Sequence, residues 1–175
     1  MIRDIRNEDI GQCLDIYNHY ILHSDATFET EVLSTQEFTQ RVHDTCRDYP
    51  WLVYEEDGRV LGYAYLSAFN PRQAYCRTAD LAIYADCKET GRGIGRQLMQ
   101  AVLSLAERDG YRHIVSIITE GNTASIRLHE SAGFEHKAFF EGLGFKNGKV
   151  LGVHYYVLKT GYSGPLHEPV NLPYE

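Results

Sequence analysis

The chain has 175 residues, of which 43% are hydrophobic, so it is long enough for one globular domain and too apolar to be disordered. Its formal net charge of -7 argues against non-specific binding to nucleic acid or to an anionic membrane. No apolar run approaches the roughly 20 residues of a membrane-spanning helix, and residues 1–6 lack the apolar core of a signal peptide. We therefore expect a cytoplasmic protein.

The chain contains four cysteines, namely Cys13, Cys46, Cys76 and Cys87. They form no C-x-x-C pair and no pattern typical of a zinc site, so we expect four reduced thiols and no bound metal. Cys87 lies near a glycine cluster, but no base neighbours it in the sequence. This arrangement favours a structural cysteine over a nucleophilic one.

Hydrophobic periodicity and turn signals predict a mixed sheet, antiparallel in its first half, with helices on both faces. Ser34 and Glu37 have the spacing of a helix-capping box, and Asp57-Gly58 and Asn147-Gly148 are typical of hairpin turns. The predicted strands are residues 1–5, 51–54, 60–66, 78–85, 113–118, 134–140 and 151–158. The predicted helices begin after Asn7 or Asp9, at the capping box, after the glycines at 91–95, and at Asn122.

These elements predict a single α/β (α+β) domain over residues 1–160. The remaining residues, 161–175, carry prolines at 165, 169 and 173. Because proline cannot continue a helix or a central strand, this spacing predicts an extended C-terminal arm.

The segment 83–96 passes from a strand through a glycine-rich turn into an amphipathic helix. Its glycines let the backbone turn tightly with several N–H groups pointing inward, and the first turn of the helix adds partial positive charge. The pattern fits neither a Walker A loop nor a dinucleotide fingerprint. It predicts a pyrophosphate site, with a plain strand-to-helix turn as the alternative. The predicted contacts are Gly91, Arg92, Gly93, Ile94, Gly95 and Arg96.

This loop resembles motif A of the GNAT superfamily of N-acetyltransferases, Q/R-x-x-G-x-G/A. The matching stretch is Thr90-Gly91-Arg92-Gly93-Ile94-Gly95, in which Thr90 replaces the usual Gln or Arg. The resemblance implies a GNAT fold with a mixed twisted sheet and a site for acetyl-CoA. One expected side-chain contact to phosphate is absent, but the backbone N–H groups remain.

The segment 122–134 resembles motif B of the same superfamily, N-x-x-A/S-…-L-Y-E-x-x-G-F. In the family the Asn contacts the pantetheine arm, which the resemblance assigns here to Asn122. A family Tyr lies near the thioester sulfur as a possible acid for the leaving thiolate. His129 stands in its place, and packing beneath the cofactor is the alternative role for this side chain.

Within the superfamily, residues 1–160 are most similar to the phosphinothricin and methionine sulfoximine acetyltransferases. The shared stretches are 18–21, 27–30, 49–53, 74–75, 128–130 and 144–146. The likeness implies transfer of an acetyl group to the α-amine of a small amino acid or analogue, by a homodimer. It places Phe28, Arg72 and Tyr75 at the acceptor, with Arg72 holding a carboxylate.

Leu151 replaces a family histidine, and this departure bears on the identity of the acceptor and not on the enzyme class. Two alternatives therefore stay open. The acceptor could instead be a polyamine, an aminoglycoside or a protein N-terminus. The chain could also be a non-catalytic acyl-CoA-binding module, because several family residues are replaced.

The acceptor's ammonium must lose a proton before it can attack a thioester, so the site needs a base. The family places a Glu on the strand before motif A, and Asp80 occupies the matching position. A structural ion pair with Arg77 or Arg72 is the alternative for this carboxylate. An N–H near Ala82 or Ile83 would stabilise the oxyanion. The pantetheine arm should lie along Ile83, Tyr84 and Ala85.

Overall fold

The computed structural model describes residues 1–165. The strands are β1 (Ile2–Asp4), β2 (Trp51–Glu56), β3 (Arg59–Ala68), β4 (Thr78–Ala85), β5 (His113–Thr119), β6 (Glu135–Lys146) and β7 (Lys149–Lys159). The helices are α1 (Ile10–His23), α2 (Thr35–Cys46), α3 (Ile94–Arg108) and α4 (Thr123–Ser131). The strands form one sheet in the order β1-β2-β3-β4-β5-β7-β6. The β4–β5 pair is parallel and the other pairs are antiparallel, which confirms the predicted mixed sheet.

Two hydrophobic cores lie on opposite faces of this sheet. Consecutive residues of β2 enter different cores, because side chains alternate between the faces of a strand. The core beneath α3 and α4 includes Leu52, Leu61, Leu66, Leu98, Val102 and Ile114. The core beneath α1 and α2 includes Leu14, Phe38, Trp51, Val53 and Tyr63.

The local signals in the sequence produce the predicted turns and one predicted cap. Ser34 accepts a hydrogen bond from the N–H of Glu37, whose carboxylate accepts one from the N–H of Ser34, which confirms the capping box. Both central residues of each hairpin turn, Asp57-Gly58 and Asn147-Gly148, have positive φ, between 51° and 79°. That geometry matches the twist of paired strands and explains the residue choice.

Helix α1 begins directly after Asp9, one of the two predicted cap positions, but Asp9 does not cap it through its side chain. A 3₁₀ turn, Asn7–Asp9, precedes the helix, and no side chain at the cap position bonds to its first turn. The carboxylate of Asp9 is instead bound by the guanidinium of Arg3 at 2.6 and 2.9 Å and by the N–H of Arg6. These contacts lower the pKa of Asp9, with the Arg3 hydrogen bond as the largest cause.

The C-terminal part of the chain contains a longer hairpin than expected. Strand β6 continues to the turn at 147–148 instead of ending near residue 140. In the predicted arm, residues 161–165 form no helix or strand, and the rest of 161–175 lies outside the described residues. Within residues 1–165, no helix is both long and apolar enough to span a bilayer.

The feature that creates a site is a divergence of β4 and β5. The two strands pair only between Thr78–Asp80 and His113–Val115. Beyond these residues β5 stays paired with β7, and β4 stays paired with β3. Among the described residues, the backbone of 81–85 therefore has no strand partner on its β5 side.

Candidate active site

A cavity of about 370 Å³ lies where β4 and β5 diverge. Every residue of β4 from Asp80 to Ala85 borders it. Further parts of the wall are formed by Gly95 at the start of α3, by Asn122 at the cap of α4 and by His129 on α4. Motifs A and B of the sequence resemblance therefore meet at one cavity.

The backbone of β4 presents hydrogen-bonding groups to this cavity. The N–H of Asp86 donates to the carbonyl of Leu61 at 2.9 Å, so Asp86 and Leu61 form a hydrogen-bonded pair of the β3–β4 ladder. Because such pairs alternate in antiparallel strands, the N–H and C=O of Ile83 and Ala85 point away from β3. Of the two predicted oxyanion donors, Ile83 is thus the one with an available N–H. The carbonyl of Ala85 already accepts a hydrogen bond from the hydroxyl of Tyr20 at 2.8 Å.

Of the glycine loop, only Gly95 borders the cavity, and Gly91, Arg92, Gly93, Ile94 and Arg96 are not among its lining residues. Gly91 and Gly93 have φ of 77° and 73°, in the left-handed region that favours glycine. The first helical hydrogen bond runs from the N–H of Gln97 to the carbonyl of Gly93. The N–H groups of residues 94–96 precede it and have no acceptor within the helix. The side chain of Ile94 is buried in the core, so only its backbone can contact a ligand.

The two arginines of the loop differ in their surroundings. The guanidinium of Arg92 lies 2.7 Å from a carboxylate oxygen of Glu56 and 2.7 Å from one of Glu89. These carboxylates raise its pKa and neutralise its charge locally. Arg96 is exposed and has no ion-pair partner among the described residues. Of the two predicted phosphate contacts, Arg96 is therefore the available cation.

Asp80 lies largely buried beside the unpaired part of β4. Its Oδ1 atom has no hydrogen-bond partner among residues 1–165, and neither Arg72 nor Arg77 forms an ion pair with it. Burial raises the pKa of Asp80 to about 6, although a hydrogen bond from the N–H of Leu81 acts in the opposite direction. These surroundings disfavour the structural ion pair and suit a general base.

The structure weighs against His129 as an acid. Its Nδ1 lies 2.8 Å from the carbonyl oxygen of Ser125, which can only accept, so Nδ1 carries the proton. Burial lowers the pKa of the imidazole, which is therefore neutral at pH 7. Its Nε2 is then an unprotonated acceptor, buried and without a partner among the described residues. The arrangement favours the alternative role, in which His129 packs beneath the cofactor.

Asn122 borders the cavity at the N-terminal cap of α4, and its contact with the pantetheine arm stays a prediction. Its side-chain oxygen accepts the N–H of Ser125 at 3.2 Å and so caps α4. The capping bond uses only the oxygen, which leaves its NH₂ group at the cavity wall for a ligand.

The three predicted acceptor residues do not line this cavity. Phe28 is 37% exposed, and its ring lies directly over Gly144. Arg72 and Tyr75 are exposed on the loop before β4, where the ring of Tyr75 contacts that of Phe69. An acceptor role for these residues stays a prediction.

The cavity residues that were not predicted as site residues include Tyr20, Tyr65 and Ser116. Ser116 had a detectable signal, because it is a polar residue within a buried apolar strand. Tyr20 lies in the shared stretch 18–21, but nothing in the sequence placed it or Tyr65 at the cavity, since their position depends on how α1 and β3 pack against β4. Within residues 1–165, no group of three or more His, Cys, Asp or Glu side chains is arranged to hold a metal ion.

Comparison with known proteins identifies the family. A model described as an acetyltransferase (GNAT) domain matches residues 2–153. The chain is 33% identical over 147 residues to a phosphinothricin N-acetyltransferase of Streptomyces viridochromogenes, covering 84% of this chain and 80% of that protein. It is 31% identical over 159 residues to an L-methionine sulfoximine/L-methionine sulfone acetyltransferase of Salmonella typhimurium, covering 90% and 93%.

A solved structure has the same fold. It is that of a GNAT superfamily phosphinothricin acetyltransferase from Sinorhizobium meliloti in complex with acetyl-CoA, with a TM-score of 0.92 and 29% identity. The match covers 99% of this chain and 95% of that one. These likenesses confirm the fold, the enzyme class and the co-substrate acetyl-CoA that the sequence motifs implied. The chain belongs to the GNAT family of acetyltransferases.

Proposed function

We propose that this enzyme acetylates the α-amine of a small amino acid or amino acid analogue, of the methionine sulfoximine or phosphinothricin type. The observation that carries the proposal is Asp80, a largely buried carboxylate that has no ion-pair partner among the described residues and lies at the unpaired part of β4. The names of the two curated relatives support this acceptor class. We place the reaction in the cytoplasm, where acetyl-CoA is available.

The donor would bind along the loop and the diverging strand. Its pyrophosphate would meet the free N–H groups at the start of α3, with Arg96 supplying positive charge. The pantetheine arm would pair with the carbonyl of Ile83 and the N–H of Ala85, and the NH₂ group of Asn122, at the cap of α4, would also bind it. This path brings the thioester next to Asp80.

Two groups of the chain would then act in the transfer, Asp80 on the amine and Ile83 on the thioester carbonyl. Asp80 takes one proton from the ammonium of the acceptor, directly or through water. The neutral nitrogen forms the C–N bond as the C–S bond breaks, and the N–H of Ile83 donates to the carbonyl oxygen that gains charge. The thiolate takes up a proton, and one proton in total is released to solvent.

An acceptor screen tests the function. Release of the CoA thiol from acetyl-CoA should be fastest with free amino acids, methionine sulfoximine or phosphinothricin, and slow with polyamines and aminoglycosides. Activity confined to those cations would refute the amino acid assignment. If no acceptor releases the thiol, the chain is a binding module.

Arg72 is the candidate for holding the acceptor's carboxylate. It is an exposed cation with no ion-pair partner among the described residues, on the loop that leads into β4. Arg72→Ala should raise KM for the free amino acid about 10- to 150-fold, since a charge-assisted bond contributes roughly 1.5–3 kcal/mol. Steady-state kinetics with the carboxyl-amidated acceptor is the control. The amidated acceptor should already be a poor substrate of the wild type, and Arg72→Ala should raise its KM little further. An equal rise in KM for the free acid and the amide would contradict a carboxylate contact at Arg72.

We also propose a homodimer formed through the β6–β7 hairpin. Phe145 and Val150 are register partners on these strands and are 69% and 68% exposed. Strand β6 is at the edge of the sheet, and such an edge with large apolar side chains favours pairing with a second copy.

Phe145→Asp should convert the dimer to a monomer, because an unpaired carboxylate buried in an interface costs several kcal/mol. Light scattering coupled to gel filtration measures the mass. Leu22→Asp, at an exposed position on α1, is the control and should stay dimeric. A monomeric wild type, or a dimeric Phe145→Asp, would refute the interface.

A further inference from the structure

Tyr65 lies beside Asp80 on one face of the sheet. In the β3–β4 ladder Tyr65 is opposite Ala82 and Ser67 is opposite Asp80. Directly opposite residues share a face, as do residues two apart, so the side chains of Tyr65 and Asp80 are diagonal neighbours. Both border the cavity, and the charge of Asp80 is close enough to raise the pKa of the phenol.

The ring of Tyr65 is held in one orientation, but its hydroxyl is not engaged. The ring stacks on Trp51 at 3.9 Å between centroids and 8° between planes, and Trp51 is itself buried. The Tyr65 hydroxyl forms no hydrogen bond with another residue within 1–165. Burial raises the pKa of this phenol above its ordinary value, so near neutral pH it offers one proton and its oxygen lone pairs.

The cavity therefore has two polar sides. Asp80 and Tyr65 lie on the face that packs against α1 and α2. The unpartnered polar atoms of Ser116 and His129 belong to the α3 and α4 side, where Ser116 is in register with Tyr156 of the other core. An amine that meets Asp80 must enter from the first side, where the hydroxyl of Tyr65 borders the cavity and forms no hydrogen bond within residues 1–165, whereas the unpartnered hydroxyl of Tyr63 lies outside the cavity.

We propose that Tyr65 is a positioning residue for the acceptor amine. Its hydroxyl oxygen accepts one N–H of the amine while Asp80 removes another proton, so the nitrogen is fixed relative to the thioester. Tyr65 itself gains and loses no covalent bond. This inference rests on the proposed function, because it requires an amine acceptor and Asp80 as the base.

A matched pair of variants tests it. Tyr65→Phe should lower kcat/KM for the acceptor about 10- to 100-fold, the loss expected for one hydrogen bond to a charged group. Its affinity for acetyl-CoA by calorimetry and its melting temperature should stay those of the wild type. Tyr63→Phe is the control, because Tyr63 is two residues away on the same face and stacks on the same Trp51 at 5.5 Å. The Tyr63 hydroxyl is buried, has no partner within residues 1–165 and lies outside the cavity, so its removal should leave the kinetics unchanged.

The two ideas fail in different ways. Turnover by the wild type supports the proposed function whatever Tyr65 does. The role of Tyr65 would be overturned if the Tyr65→Phe and Tyr63→Phe variants had equal kinetics. It would also be overturned if Tyr65→Phe lost as much affinity for acetyl-CoA as it lost in kcat/KM. A cycle with Asp80→Asn adds a second criterion, since residues that act on the same proton transfer give less than multiplicative losses. Fully multiplicative losses would show that Tyr65 acts independently of Asp80 and would also overturn it.

Discussion

Replacing Asp80 with asparagine should lower kcat by about 10²–10⁴-fold, the range for loss of a general base. The amide keeps the shape of the side chain but cannot take up the ammonium proton. Affinity for acetyl-CoA should change little, because the predicted phosphate contacts lie on the glycine loop. Thiol-release kinetics and calorimetry measure the two quantities. Near-wild-type turnover at every pH would show that another group is the base.

The pKa of Asp80 also predicts a pH profile. The carboxyl group must be ionised to act, so kcat/KM of the wild type should rise with pH and level off above about pH 6. Asp80→Asn should lack this acid limb. An acid limb that persists in the variant would assign the titration to a different group.

The pH dependence of thermal stability is an independent test of the raised pKa of Asp80. Because burial raises the pKa of Asp80 in the folded state, the folded protein binds this proton more tightly than the unfolded chain does. The ionised carboxylate therefore destabilises the fold by about 1–3 kcal/mol above pH 6, and this penalty disappears below about pH 4. Asp80→Asn should melt higher than the wild type at pH 8 but not at pH 4.

The control for this measurement is Asp15→Asn, at an exposed position on α1 that forms no hydrogen bond or ion pair with the described residues. It removes the same charge and should leave the melting temperature nearly unchanged at both pH values. A lower melting temperature of Asp80→Asn at pH 8 would show that the carboxylate makes a stabilising contact.

The sequence predicted the features that short-range chemistry decides. The bounds of β4 were predicted correctly, and the two hairpin turns followed from residues that tolerate positive φ. The glycine loop was recognisable because a strand, three glycines and a helix must be adjacent in the chain to form it.

The features that the sequence did not predict depend on contacts between distant residues. Arg92 pairs with Glu56, which is 36 positions away and enters the site only through the β2–β3 hairpin. The tautomer of His129 follows from one backbone carbonyl and from burial. Tyr65 becomes a neighbour of Asp80 only in the observed register of β3 and β4, which no local pattern specifies.

Gly93→Val should weaken acetyl-CoA binding at least about 100-fold. Gly93 has φ of 73°, where a β-branched residue is strained by about 1–3 kcal/mol, so the loop would change its backbone conformation. Apart from its two chain neighbours, no atom of the described residues lies within 4 Å of the position where a side chain would begin. The side chain would thus extend into the space that the loop leaves for phosphate, and the start of α3 would lose its geometry for binding an anion.

The matched control for this substitution is Gly148→Val in the β6–β7 turn. Gly148 has φ of 75° and equally empty surroundings, but it lies in a different part of the chain from the glycine loop. Both variants should lose similar stability in thermal melting, since they suffer the same backbone strain. Only Gly93→Val should lose affinity for acetyl-CoA by calorimetry. If a folded Gly93→Val binds acetyl-CoA as tightly as Gly148→Val does, the pyrophosphate is bound elsewhere, and the free N–H groups of residues 94–96 have another role.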